Sequence, residues 1–118
     1  MSFVIWKKFH FSASHVLNGM PDGHQCGRLH GHNYIVEIVL EDDMLDQHGF
    51  VKDFGELKVV KHYIDTQLDH RHLNDVFDFN PTAELMAQHL FREFSGQFPQ
   101  LSAVRVRETE TSWAEYRR

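Results

Sequence analysis

From Phe3 to His15, apolar and polar residues alternate. Phe9, Phe11, Ala13 and His15 fall on one side, and His10, Ser12 and Ser14 on the other. A period of two predicts a β-strand. The following stretch, Asn18-Gly19-Met20-Pro21-Asp22-Gly23, is dense in turn formers and reads as a loop. Alternation returns from His30 to Glu41, with His30, His32, Tyr34, Val36, Ile38 and Leu40 sharing one face. A turn around Asp46-Gln47-His48-Gly49 then suggests a hairpin-like return at Phe50-Val51.

The spacing next becomes helical. Leu57, Val60, Ile64 and Leu68 form one apolar stripe, predicting a helix from about Gly55 to Leu68. Asn80-Pro81 reads as an N-cap followed by proline in the first turn of a second helix. Met86, Leu90 and Phe94 mark its buried face, widened by Leu85 and Phe91, and Gly96 marks its end. Ser102 to Glu108 alternates again, placing Val104, Val106 and Glu108 on one face. A last short strand fits around Trp113 to Tyr116. The order is ββααββ: an α+β domain, with two helices on one face of a four-stranded antiparallel sheet. No linker or repeat divides residues 1–118, so one domain is expected, and its exposed sheet edges favour oligomerisation.

Composition narrows the function classes. The 118 residues carry 12 basic and 17 acidic side chains, a net charge of −5, which argues against nucleic-acid and anionic-membrane binding. A single cysteine excludes an internal disulfide framework. No apolar run suits a membrane span and the N-terminus lacks the order of a signal peptide, so a cytoplasmic protein is expected.

Ten histidines are the unusual feature. In His30-Gly31-His32, two imidazoles share one strand face, about 6.6 Å apart along the chain. His15 is in phase with the buried side of the preceding strand. If the two strands share a sheet, all three imidazoles converge, as three nitrogen ligands of a catalytic zinc ion do. Cys26 lies four residues before His30 and has three readings: a fourth ligand, an inert buried thiol, or a reactive thiolate. Asp69-His70 is either a carboxylate-oriented imidazole or a solvated helix end. Glu108 continues a buried face, where a carboxylate needs a base, a metal or a ligand with two N–H donors. Thr82 and Glu84, at the start of the second helix, are ordinary helix-start residues unless a ligand meets them there.

Taken together, these residues resemble the 6-pyruvoyltetrahydropterin synthase/6-carboxytetrahydropterin synthase family. The matching pieces are Phe9-x-Phe11-x-Ala13-x-His15, Cys26-Gly27-Arg28-Leu29-His30-Gly31-His32-Asn33-Tyr34, Val51-x-Asp53-Phe54-x-x-Leu57-Lys58, Leu68-Asp69-His70-x-x-Leu73-Asn74, Asn80-Pro81-Thr82-x-Glu84 and Glu108-Thr109. The resemblance implies the tunnelling fold, in which the sheets of several subunits join into a barrel. It implies a homo-oligomer built on trimers, up to a hexamer, with active sites between subunits.

By the same resemblance, His15, His30 and His32 hold Zn²⁺, Cys26 is the proton-abstracting base, and Asp69 and His70 complete a proton relay. Glu108 anchors the pterin and is counted within the relay, while Thr82 and Glu84 belong to the pterin pocket. The implied substrate is dihydroneopterin triphosphate. The ending from Glu108 to Tyr116 resembles the bacterial 6-carboxytetrahydropterin synthase branch, which releases acetaldehyde and serves queuosine and other deazapurines. Alternatives are the pyruvoyl branch, which keeps all three side-chain carbons, and a non-catalytic zinc- or pterin-binding module. A dihydroneopterin aldolase-like branch carries an acid in place of the cysteine, and Cys26 departs from it. Ala83 stands where some relatives carry a hydroxyl residue.

Overall fold

The computed structural model describes residues 1–118. Strand β1 spans Phe3–His15 and β2 spans His30–Asp42. Helix α1 covers Lys58–Gln67, the short strand β3 Arg71–His72, helix α2 Leu73–Val76 and helix α3 Ala83–Ser95. Strands β4, Leu101–Arg107, and β5, Trp113–Arg117, complete the chain. Single 3₁₀ turns occur at Gln25–Gly27 and Phe54–Leu57.

The sheet order is β3-β1-β2-β4-β5. The four longer strands pair antiparallel, whereas β3 pairs parallel to β1 through Ala13–Arg71 and Ser14–His72. The sheet is therefore five-stranded and mixed, which corrects the four-stranded antiparallel expectation. Two residues are too short to alternate, so β3 leaves no periodic trace in the sequence. Helix α2 is similarly an addition to the two expected helices. Phe50 and Val51 form no strand. The turn before them closes locally, with Asp46 N–H donating to the Phe50 carbonyl at 2.9 Å.

One face of the sheet is covered by the helices. Phe9, Phe11, Tyr34, Val36, Ile38, Leu40, Val104 and Val106 meet Val60, Ile64, Met86, Leu90 and Phe94 in a continuous core. Burial of these side chains follows the predicted stripes, except that Leu85 lies exposed on α3. On the opposite face, Lys8, Glu37, Arg105 and Glu115 stand in register across four strands. Glu37 is buried there, 3.1 Å from Arg105 and 2.7 Å from Arg107, so its charge is compensated where it is desolvated. No helix is long and apolar enough to cross a membrane.

Helix α3 begins two residues later than Asn80 suggests. Thr82 is the N-cap, its hydroxyl accepting from Leu85 N–H at 3.1 Å, and Pro81 precedes the cap. Asn80 is occupied elsewhere: its side-chain oxygen accepts from Asn18 N–H at 2.9 Å.

Candidate functional site

The antiparallel register of β1 and β2 sets His15 directly opposite His30, and Ala13 opposite His32. Because alternate residues of a strand share a face, the three imidazoles meet on the helix-covered side. A ligand atom from each lies within 4.8 Å of the others. His15 is fully buried, and His30 and His32 are half-buried. Gly31, between them, passes close to β1: a Cβ there would lie 3.3 Å from the Ala13 carbonyl oxygen.

The ring nitrogens are assigned by their partners. His15 Nδ1 donates to the Pro81 carbonyl at 2.9 Å, with the Tyr34 hydroxyl 3.2 Å from the same atom. His30 Nδ1 donates to the Arg28 carbonyl at 2.7 Å. Carbonyls only accept, so both Nδ1 atoms carry the proton and both Nε2 atoms present lone pairs. Those two Nε2 atoms face each other at 2.9 Å. Two acceptors so close need a cation between them. His32 Nε2 is buried without a hydrogen-bond partner. Backbone carbonyls that fix tautomer and ring orientation are the usual outer support of metal-bound histidine. The donor set thus fits a metal ion, and nitrogen ligands of this kind suit zinc.

The electrostatics agree. Burial lowers the pKa of His15, with the neighbouring His30 adding to the effect against the raising influence of the Pro81 carbonyl. Burial likewise lowers His32, opposed by Glu108. Both rings are held in the neutral, ligating form.

Cys26, His30, His32, Glu108 and Thr109 line one cavity of about 400 Å³ together with Leu17 and Gln25. Cys26 is half-buried in the 3₁₀ turn; His24 Nδ1 accepts from its N–H at 3.0 Å. Glu108 lies one residue past the end of β4. Its carboxylate is 3.6 Å from His32 Nε2, and its side chain is 30 % exposed. Glu108 also borders a second cavity of about 230 Å³ with Ala83, Glu84, Ser112, Trp113 and Ala114. Glu84 reaches this space from the exposed first turn of α3, whereas the Thr82 hydroxyl is engaged in capping.

His70 lines a different groove, of about 470 Å³, beside Ser12, Ser14, Asn33 and the far side of His32, and Asp69 pairs with it there. His70 has φ 58°, a left-handed conformation costing a non-glycine residue on the order of 1 kcal/mol. The turn is fastened to β1: His70 N–H donates to Ser12 O, and Ser12 N–H donates to Asp69 Oδ1 at 2.9 Å. That bond, and the His70 imidazole 2.9 Å from Asp69 Oδ2, hold the Asp69 carboxyl below its ordinary range. The His70 ring itself is 82 % exposed. Within one chain, then, His15, His30, His32, Cys26 and Glu108 come together, and the Asp69-His70 pair does not line their cavity. Tyr34 and the Pro81 carbonyl, both supporting His15, were not among the residues expected from the sequence. Tyr34 shares the alternation of His30 and His32, which is the signal that points to it.

A small α+β domain with three histidines converging beside a cysteine and a carboxylate defines a metal-competent enzyme-like site. The chain belongs to the 6-pyruvoyl tetrahydropterin synthase family, whose profile it matches over residues 4–118. It is 36% identical over 129 residues to a 6-carboxy-5,6,7,8-tetrahydropterin synthase of Bacillus subtilis, covering 98% of this chain and 86% of that protein. Over 59 residues, half of each chain, it is 44% identical to a dihydroneopterin monophosphate aldolase of Pyrococcus furiosus. The 6-pyruvoyl tetrahydropterin synthase of Caenorhabditis elegans has the same fold, with a TM-score of 0.86 at 24% identity over 100% of this chain and 96% of that one.

Proposed function

We propose that the protein is a zinc-dependent 6-carboxy-5,6,7,8-tetrahydropterin synthase acting in the cytoplasm. It converts 7,8-dihydroneopterin triphosphate and one water to 6-carboxytetrahydropterin, acetaldehyde and triphosphate, in the route to queuosine and other 7-deazapurines. The observation that carries this reading is the cavity in which Cys26 meets His30, His32 and Glu108. It occurs in a chain that is similar along nearly its whole length to a protein of that name.

His15, His30 and His32 hold the metal through the nitrogens that face one another. A zinc ion held there would supply Lewis acidity, making the C–H and O–H protons of the substrate side chain easier to remove. Cys26, on the same cavity, takes the proton from the substrate side chain. Glu108 accepts the two N–H donors of the pterin edge, from its position between the two cavities. The pterin ring then lies beside Ala83, Glu84 and Trp113, with Thr82 setting the start of α3 beneath it. His70, oriented by Asp69, returns the proton. Because its ring faces outward, it serves the cavity of a neighbouring copy in a homo-oligomer of joined sheets.

The test is to incubate the zinc-loaded protein with dihydroneopterin triphosphate and compare acetaldehyde formed with substrate consumed. Equal amounts are expected. Triphosphate release without acetaldehyde would place the chain in the pyruvoyl branch, and no consumption at all would make it a binding module.

A further inference from the structure

Strand β1 ends at His15, yet the chain beyond it remains ordered by bonds that no strand provides. Asn74, on α2, uses its carboxamide as a peptide group would: its oxygen accepts from Val16 N–H at 2.8 Å and its nitrogen donates to Val16 O at 2.8 Å. Asn80 repeats the pattern two residues on. Its oxygen accepts from Asn18 N–H at 2.9 Å, and its nitrogen donates to Asn18 O at 3.4 Å. Residues two apart in an extended chain direct their backbone groups to the same edge. The two carboxamides therefore prolong the ladder that β3 starts along β1 at Ala13 and Ser14.

The consequence falls on the opposite edge. With Val16 and Asn18 clamped, the intervening Leu17 directs its N–H the other way, where it donates to the Cys26 carbonyl at 2.9 Å. Leu17 also lines the cavity that Cys26 shares with His30 and His32. The path from clamp to thiol is thus short: Asn74 and Asn80 hold residues 16–18, and Leu17 holds Cys26. His15, one residue before the clamp, is also held from this side, by the carbonyl of Pro81 next to Asn80.

We propose that Asn74 and Asn80 are positioning residues. Their backbone-mimicking clamp on Val16 and Asn18 sets the Cys26 thiol against the three-histidine centre. This rests on the reading of Cys26 as the proton-transfer group. The clamp touches no reacting atom, so its loss displaces the base without removing the metal ligands. A misplacement of about 1 Å in such a group costs on the order of a hundredfold in rate.

The experiment compares zinc-loaded wild type, Asn74→Ala, Asn80→Ala and Asn80→Asp, with Cys26→Ala alongside. The aspartate keeps the stronger 2.9 Å bond from Asn18 N–H and gives up the weaker one. Each protein is measured for zinc content, melting temperature, kcat and KM. Asn80→Ala is expected to keep one zinc per chain while kcat falls at least tenfold and KM changes less than threefold. Asn80→Asp should recover most of that kcat. Should Asn74→Ala fail to fold, the Asn80 pair carries the test alone. Full kcat in Asn80→Ala, beside an inactive Cys26→Ala, would overturn the clamp and leave the reading of Cys26 intact. A kcat that falls only in step with zinc content would also overturn it. If Cys26→Ala turns over normally, it is the reading of Cys26 that fails, and the positioning role with it.

Discussion

His15 is fully buried, and its place in the sheet leaves its ring only three uses: a hydrogen bond to Pro81 O, a contact with Tyr34, and a lone pair aimed at His30. Without a cation the lone pairs of His15 and His30 oppose each other, and burial holds His15 and His32 below the ordinary imidazole value of 6.5. The linkage sign follows from these depressed values. The unfolded chain binds more protons than the folded one below about pH 6.5, so stability falls as pH drops from there through the folded-state values. In metal-free protein the melting temperature should therefore decline between pH 7 and 5. Carboxylates with lowered pKa, such as Asp69 and Glu115, add their loss only at lower pH. A thermal melt series at fixed ionic strength checks this, and a flat profile down to pH 5 would contradict it. Saturating zinc should flatten the decline, since proton and metal compete for the same nitrogens.

At the scale of elements, long alternation is the strongest signal in the chain, and β1 and β2 follow it to their ends. Placing His15, His30 and His32 on the buried face required only that phase and the pairing of two strands. What sequence did not disclose depends on contacts between distant segments. Strand β3 exists because Asp69 and His70 fasten a turn to Ser12, and two residues carry no period. The start of α3 is displaced because Asn80, a good capping residue in isolation, is drawn to Asn18, leaving Thr82 to cap. Glu108 was legible as a carboxylate needing a partner. That His70 lines a different groove from Cys26 was not, because it depends on where the chain turns after α1. Loss of the Thr82 hydroxyl removes the cap from α3, so Thr82→Ala should destabilise the fold by about 1 kcal/mol. A denaturant titration should give that loss in Thr82→Ala and little loss in Thr82→Ser, which keeps the hydroxyl. Equal stability of wild type and Thr82→Ala would refute the capping role.

The whole molecule is elongated, 56 × 28 × 24 Å, and the long β1–β2 pair runs from Phe3 opposite Asp42 to His15 opposite His30. Trp6 and Val4 at its far end are about half exposed, and the sheet ends in the two-residue β3 on one edge and β5 on the other. Such edges and apolar side chains suit the joining of sheets between copies. The proposed catalytic groups stand at two places on one chain, Cys26 with the three histidines and His70 beside Asp69, and under the proposed function an assembly of copies would bring them together. If His70 serves the cavity of a neighbour, inactive Cys26→Ala and inactive His70→Ala should complement each other. Subunits mixed in equal amounts, unfolded and refolded together, should recover roughly a quarter of wild-type turnover by random assortment. No recovery, with mixed oligomers formed, would show that each chain completes its own site.

The most direct measurement of the central claim is zinc content and turnover determined side by side in Cys26→Ala. Three histidines that hold the metal unaided, with Cys26 as the base, predict one zinc per chain and a loss of turnover by several orders of magnitude. Loss of zinc would make Cys26 a fourth ligand, and undiminished turnover would remove it from the chemistry.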